Sequence, residues 1–218
     1  MKAYHFVPAE YGLENLTHQR LKIATVPDLN DPFELLCIDL SDHNLRTHMK
    51  SWKANMGKQQ GLLCFSRTWR NPVQWSHYAD RHRGICLCFE LASGFAQPVI
   101  YNEQRSTKEA EEILRTGSCD KKTMQKFLTT KYASWRYEQE LRAFTDLKEL
   151  DPIKKMYFCE FSSDLRLVEV IIGAESVVTR SQIIKALGEK ASQVSLRNAR
   201  LAFKTYRVTT QHDKALWI

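Results

Sequence analysis

Two glutamates and two arginines alternate along residues 135–142, Trp-Arg-Tyr-Glu-Gln-Glu-Leu-Arg. Successive side chains of a strand point to opposite faces, so a strand here would place Glu138 and Glu140 on one face. Arg136 and Arg142 would share that face with them. Acidic residues are depleted from strands, and a pair of them two positions apart therefore needs an explanation. One explanation is an active-site carboxylate whose neighbours set its ionisation, and the other is a solvated ladder of structural ion pairs.

This segment supplies the candidate catalytic groups. Glu140 is the predicted catalytic carboxylate and Glu138 is its predicted helper. The reason is that Glu138 can pair with Arg136 or Arg142, which leaves Glu140 to face a cleft.

A histidine and a serine stand on two other predicted strands, His5 on the first and Ser66 at the end of a middle one. Together with an acid they could form a hydrolase triad, but Ser66 lacks the Gly-x-Ser-x-Gly elbow that exposes such a nucleophile. The same groups suit ADP-ribosyl transfer. Cleavage of the nicotinamide glycosidic bond of NAD builds positive charge on the ribose carbon, and a nearby carboxylate stabilises that charge, as in glycosidases.

The remaining candidates would bind NAD, which is the predicted substrate. A neutral His5 can fix the distal ribose, and Ser66 can brace the nicotinamide end. Tyr78 or Trp75 could stack on a ring of the ligand, and Asn30 is a further candidate for NAD binding. Each residue has a structural alternative. His5 could be a core histidine bonded to a backbone carbonyl, and Ser66 could simply end its strand. Trp75 and Tyr78 could be core positions, and Asn30 could be a helix cap.

Composition limits the class of protein and its partners. The chain has 218 residues and a formal net charge of +7, from 32 Lys and Arg against 25 Asp and Glu. This excess favours polyanions through counterion release, so DNA or RNA is a predicted partner. No apolar run approaches the roughly 20 residues needed to cross a bilayer, and no leader precedes the first predicted strand. We therefore expect a cytoplasmic protein without a membrane partner.

The cysteines and histidines do not form a metal motif. The six cysteines are expected to be reduced and mostly buried, and Cys86 and Cys88 have the wrong spacing for a zinc site. His77 and His82 are five residues apart and would lie on different parts of a helix surface. No metal is predicted on this basis.

The elements that must position these residues form an α+β order with one core. Asn30 or Asp31 could cap a helical turn that begins at Pro32. We expect a single domain over residues 1–218, with a mixed, mostly antiparallel sheet, flanking helices, and a helical insertion at about 103–131. The other predicted helices cover Leu13 and Leu16, part of 39–60, about 71–83 and about 181–187. The predicted strands are 4–6, 21–25, 61–66, 85–91, 135–142, 156–161, 167–172 and 203–208.

Several motifs follow one another along the chain. They are Ala3-Tyr4-His5-Phe6, Gly12-Leu13, Asn30-Asp31-Pro32-Phe33-Glu34, Cys64-Phe65-Ser66, Trp75-Ser76-His77-Tyr78-Ala79, residues 84–90, Trp135-x-Tyr137-Glu138-x-Glu140-x-Arg142 and Val170-Ile171-Ile172-Gly173. In this order they resemble a bacterial domain-of-unknown-function family, number 2971, and the resemblance spans nearly the whole chain. The opening is also similar to that of the DarT-like DNA ADP-ribosyltransferases, and the late Glu-x-Glu pair resembles the arginine-serine-glutamate transferases. His5 stands where the arginine-serine-glutamate transferases have arginine, and Ser66 lacks their Ser-Thr-Ser context.

The resemblance implies an ADP-ribosyltransferase-like fold and an intracellular enzyme that consumes NAD. Its acceptor would be a nucleic acid or a protein, and it would act as a toxin or phage-defence effector, with a neutralising antitoxin as a further partner. Two other classes stay open. One is a non-catalytic nucleic-acid or partner-binding module. The other is a magnesium-dependent nuclease that uses Asp31, Glu34, Glu138 and Glu140.

Overall fold

An eight-stranded sheet runs through the protein, whose computed structural model describes residues 1–217. The strands are β1 (Lys2–Val7), β2 (Arg20–Ile23), β3 (Gln60–Ser66), β4 (Ile85–Leu91), β5 (Gln97–Pro98), β6 (Ile100–Asn102), β7 (Thr130–Tyr132), β8 (Glu140–Asp146), β9 (Tyr157–Glu160), β10 (Leu165–Ile172), β11 (Ser195–Leu201) and β12 (Val208–Thr210). Their order across the sheet is β12-β11-β10-β4-β1-β3-β8-β5. The pair β10–β11 is parallel and the other neighbours are antiparallel. The predicted mixed, mostly antiparallel sheet of an α+β domain is confirmed.

Helices flank the sheet, and two short two-stranded sheets, β2–β9 and β6–β7, complete the fold. Two of these helices fall within the segment predicted as a helical insertion. Gly117 separates them and caps the first in the left-handed conformation, with φ of 67°. The α-helices are α1 (Ala9–His18), α2 (His43–Gln59), α3 (Pro72–Tyr78), α4 (Thr107–Thr116), α5 (Lys121–Thr129) and α6 (Arg180–Leu187). The 3₁₀ helices are Val26–Asp28, Ala133–Glu138, Gly188–Gln193 and Lys214–Leu216.

The core lies on both faces of the central strands. Along β4, Leu87 and Phe89 point into a large cluster that also contains α1 and α6, whereas Cys86 points into a second cluster around Trp75. This two-sided burial explains why β4 is a nearly continuous apolar run, which the sequence predicted as a buried strand. A third cluster joins α2 to α4 and α5, and its buried members are Ile38, Leu40, Leu45, Met49, Ala110, Ile113 and Phe127.

The predicted strand over 135–142 is wrong in its first half. Ala133–Glu138 is a 3₁₀ helix, Gln139 adopts the left-handed conformation, and pairing with β3 begins at Glu140. Side-chain amides take the place of a strand partner here, because Gln74 Nε2 donates to the carbonyl oxygens of Tyr137 and Glu138. The four charged residues therefore do not lie along one strand.

The helix predicted over 71–83 begins at Pro72 as expected but ends at Tyr78. It stops early because Asp80, Arg81 and His82 have φ values of 43°, 54° and 70°, which a right-handed helix does not allow. Gly84 then passes so close to β1 that an added Cβ would lie 2.2 Å from the Val7 carbonyl oxygen. A glycine is required at this contact.

The carboxyl-terminal strand prediction is also wrong. Residues 203–207 form the bend of a hairpin between β11 and β12, not a strand. The sequence of β11, Ser-Leu-Arg-Asn-Ala-Arg-Leu, contains residues of low strand propensity, which is why the pattern does not reveal it. The helical turn predicted after Asn30 is a turn only, in which Asp31 Oδ1 accepts a bond from the Phe33 amide.

All six cysteines are free thiols, of which Cys86 and Cys88 are buried and the other four are partly exposed. The expectation that most of them are buried is therefore wrong. Among residues 1–217, the helices are all too short or too polar to span a bilayer.

Candidate active site

A cavity of about 250 Å³ opens where β1 and β3 separate. These strands share one register pair, Tyr4 with Ser66, whereas β1 pairs with β4 over six residues. A single pair leaves room between the strands beyond it, and side chains from several elements line that space. They include Tyr4, His5, Asn30, Ser66, Tyr78 and Glu138.

His5 bridges the gap between the separated strands. Its Nδ1 lies 3.0 Å from the carbonyl oxygen of Cys64, which can only accept, so Nδ1 carries the proton. Burial lowers the pKa of His5 below its ordinary value, against the opposing effect of this hydrogen bond. The ring is therefore neutral at pH 7, and Nε2 is left as a hydrogen-bond acceptor.

Glu138 ends the 3₁₀ helix and lies buried in the cavity wall. Its Oε1 accepts a bond from the Tyr78 hydroxyl, and its Oε2 lies 2.7 Å from Lys131 Nζ. Burial raises the pKa of the Glu138 carboxyl, although Lys131 and Tyr78 oppose the shift. The expected pairing of Glu138 with Arg136 or Arg142 is wrong.

Glu140 is held by Arg142 instead of facing the cavity freely. Arg142 Nε lies 2.8 Å from Glu140 Oε1, and one of its terminal nitrogens lies 3.0 Å from Oε2. The same guanidinium makes two bonds to Glu34, at 2.7 and 3.1 Å. Burial acts to raise the pKa of Glu140, but Arg142 and Lys131 outweigh it and the pKa is lowered. Glu140 is therefore an ionised carboxylate with both oxygens occupied.

These groups form a buried charge cluster, defined as Glu34, Lys131, Glu138, Glu140 and Arg142. Each residue is at most 8% exposed. The cluster contains three carboxylates and two cations, so one negative charge has no counterpart within it. All members except Glu34 line the cavity, and the Glu138 carboxylate contacts Lys131 and Tyr78.

Ser66 belongs to a hydrogen-bond network that holds the 3₁₀ helix in place. Its hydroxyl donates to the carbonyl oxygen of Thr68 and accepts from Gln74 Nε2, both at 3.0 Å. The hydroxyl proton is thus used within the protein. Gln74, predicted only as a residue of the helix start, is 1% exposed and links α3 to Ser66 and Glu138.

The structure brings six of the seven sequence-predicted site residues to one cavity. Asn30 Nδ2 lies 3.3 Å from the Tyr78 hydroxyl, which joins the loop before Pro32 to the same wall. Trp75 is the exception, because it is fully buried in the core and donates from Nε1 to the Trp69 carbonyl. The six that line the cavity are His5, Asn30, Ser66, Tyr78, Glu138 and Glu140.

Sequence reasoning missed Lys131, which supplies the counter-charge to Glu138 and also lines a second cavity of about 420 Å³. A lysine in the short run Thr-Lys-Tyr gives no pattern that distinguishes a buried cation from an exposed one. The second cavity contains none of the predicted site residues and is lined in part by Phe33, Arg105 and Tyr132.

Three of the four carboxylates in the nuclease hypothesis, all except Asp31, are paired with buried cations. Glu34 and Glu140 are both bonded to Arg142, and Glu138 is bonded to Lys131. Within the part of the chain that the structure describes, no group of three or more His, Cys, Asp or Glu side chains is placed to hold a metal ion.

A family model described as protein of unknown function (DUF2971) matches residues 74–143, which include most of α3, Lys131 and both cavity glutamates. Comparison with curated proteins and with solved structures gives no match. The similarity to the DUF2971 family thus covers the central third of the chain. The resemblance to DarT-like transferases receives no support from these comparisons.

Proposed function

We propose that this protein is an NAD-consuming ADP-ribosyltransferase whose reaction takes place in the cavity between β1 and β3. The observation that carries the proposal is the buried charge cluster, which has an excess negative charge and lines the cavity with all of its members except Glu34. A site of this kind stabilises a cation that develops during the reaction. The sheet would accordingly be of the ADP-ribosyltransferase kind.

Cleavage of NAD at the ribose carbon creates such a cation. The bond between nicotinamide and the ribose breaks, nicotinamide leaves with the electron pair, and the ribose carbon becomes positively charged. An acceptor group then forms a bond to that carbon and loses a proton. We assign this proton transfer to Glu138, because burial raises its pKa, whereas Glu140 is bonded through both oxygens to Arg142, which lowers its pKa. Glu140, predicted from the sequence to be catalytic, is assigned the role of holding the cluster together.

Two other residues have properties that suit NAD binding. The neutral ring of His5 offers Nε2 as an acceptor for a ribose hydroxyl. Tyr78 keeps its proton at neutral pH, because burial and then Glu138 raise its pKa, and it can orient the Glu138 carboxylate. The cavity, at about 250 Å³, is at the small end for ligand pockets and would enclose one end of the dinucleotide.

The acceptor would be a nucleic acid or a protein, and the biological setting would be an intracellular toxin or phage-defence effector controlled by an antitoxin. The acceptor and the biological setting rest on the family resemblance in the sequence. The geometry of the cavity supports the NAD-cleaving part of the proposal. The non-catalytic binding module differs from this proposal in one measurable respect, since it predicts no turnover of NAD.

Nicotinamide release from NAD tests the proposal directly. We expect the wild-type protein to release nicotinamide, and Glu138→Gln to reduce the rate by about 10²- to 10⁴-fold, the range typical of acid–base groups. Tyr78→Phe should reduce it less. Glu160→Gln is the matched control, because Glu160 is exposed on β9, outside the cavity lining.

Two results would overturn the proposal. The first is a wild-type protein that neither binds NAD in calorimetry nor releases nicotinamide in the presence of DNA, RNA or cell lysate. The second is a folded Glu138→Gln variant that turns over NAD at the wild-type rate. Thermal unfolding of each variant distinguishes loss of chemistry from loss of the fold.

A further inference from the structure

The hairpin between β11 and β12 presents two aromatic rings to solvent. Phe203 is 90% exposed and Tyr206 is 98% exposed, and the residues between them are Lys204 and Thr205. Large aromatic side chains are normally at least partly covered, so two of them on one hairpin indicate a surface for contact with a ligand. Arg200 adds a cation to this surface, with its guanidinium 4.3 Å from the centre of the Phe203 ring.

The hairpin is also strongly basic. Residues 195–210 contain four cationic side chains and no acidic one. Arg197 is compensated by Glu169 at 2.7 Å. For Arg200, Lys204 and Arg207, the described residues provide no salt-bridge partner. Three positive charges are therefore available beside the two rings.

This surface continues to the rim of the cavity. The amide of Val208 donates to the Arg70 carbonyl at 3.0 Å, which fixes the hairpin against the loop that follows β3. That loop begins at Ser66 in the cavity wall and carries the exposed cations Arg67 and Arg70. Trp69 lies beneath it, with the Arg70 guanidinium 5.2 Å from its ring. The result is a basic strip, defined as Arg67, Arg70, Arg200, Phe203, Lys204, Tyr206 and Arg207.

We propose that the basic strip binds single-stranded nucleic acid. Arginine and lysine side chains neutralise phosphates, and exposed aromatic rings stack on unpaired bases, which a duplex keeps inside its helix. A lipid surface fits less well, because the exposed apolar part consists of two rings and the half-exposed Leu201, and the cations extend along a loop toward a cavity. The binding stands on its own, whereas delivery of a nucleic-acid acceptor to the cavity rests on the proposed function.

Fluorescence anisotropy with labelled oligonucleotides tests this proposal without NAD. The probes are single-stranded DNA and RNA of about 20 nucleotides and a DNA duplex of equal length. We expect single strands to bind more tightly than the duplex. Phe203→Ala and Tyr206→Ala should each weaken single-strand binding by about 5- to 150-fold, the range for loss of one stacked base.

Charge variants provide the second arm of the experiment. The combination Arg200→Gln, Lys204→Gln and Arg207→Gln should weaken binding and reduce the slope of log affinity against log salt by about 2, because each phosphate contact on a single strand contributes about 0.7. The matched control removes three exposed cations from the helical insertion. It combines Lys108→Gln, Lys121→Gln and Lys122→Gln and should change affinity by less than about threefold.

Three outcomes would overturn the proposal. They are equal affinity for duplex and single strand, no effect of the aromatic variants, and binding of phosphatidylserine vesicles but not oligonucleotides through the same residues. The two proposals fail separately. Oligonucleotide binding by a protein that neither binds NAD nor releases nicotinamide refutes the enzyme alone, and nicotinamide release without oligonucleotide binding refutes the basic strip alone.

Discussion

Replacement of Arg142 by methionine should be one of the most destabilising single substitutions in this protein. Arg142 is 1% exposed and donates five hydrogen bonds, two to Glu34, two to Glu140 and one to the Leu128 carbonyl. Methionine has a similar length but no charge, so both carboxylates would remain buried without their main counter-charge. Removal of one partner from a buried ion pair costs about 3–5 kcal/mol, which is a large part of the roughly 5–15 kcal/mol by which proteins are stable.

Urea denaturation followed by tryptophan fluorescence measures this loss, and a thermal scan should show a melting temperature lower by about 6–20 °C. Arg166→Met is the control, since the Arg166–Glu90 pair on neighbouring strands is exposed and should contribute no more than about 1 kcal/mol. Addition of Glu34→Gln and Glu140→Gln to Arg142→Met should restore part of the stability. An Arg142→Met protein within 1 kcal/mol of wild type, or no recovery in the triple variant, would refute the charge argument.

Three further predictions concern titration, packing and thiol chemistry. Because the pKa of Glu140 is lowered in the folded protein, its ionised form contributes stability above the ordinary value of 4.5, and this is lost as the pH falls. Glu140→Gln should therefore destabilise most at pH 7 and progressively less below pH 4.5 in urea titrations. Gly173→Ala places a Cβ 2.1 Å from a backbone carbonyl oxygen and should cost about 1–3 kcal/mol or more, whereas Gly57→Ala meets only a side chain at 3.0 Å and should be nearly neutral in thermal unfolding. Cys86 and Cys88 are fully buried and the other four thiols are partly exposed, so a thiol-reactive chromogenic reagent should label those four first and these two only on unfolding.

The sequence predicts the central elements of this fold because their hydrophobic patterns are local. The buried run over 85–91 is β4, and the proline after Asn71 marks the start of α3. The errors occur where distant residues decide the backbone. Ala133–Glu138 is a 3₁₀ helix because side chains from α3 bind its carbonyl groups, and no pattern within 133–138 contains that information.

In the candidate site too, local sequence patterns predict the residues, whereas contacts between distant residues decide the rest. Residue types on the predicted strands identified His5 and the two glutamates, because acidic residues are depleted from strands and a pair of them needs an explanation. The division of roles between Glu138 and Glu140 depends on Lys131 and Arg142, and only the folded arrangement shows which cation each carboxylate contacts. The hypothesis that Trp75 stacks on the ligand followed from its place on a helix near the site. The folded protein buries this side chain completely in the core, with no access to the cavity.

Because β1 and β3 share a single register pair, the boundary between these two strands is weakly hydrogen-bonded. On one side lie β12, β11, β10, β4 and β1, and on the other lie β3, β8 and β5. Separation of the two halves would break few backbone hydrogen bonds of the sheet. It would also break the bond from His5 to Cys64. A ligand between β1 and β3 would bind where the sheet has few hydrogen bonds to break, and amide exchange should be faster along this boundary than between β4 and β10.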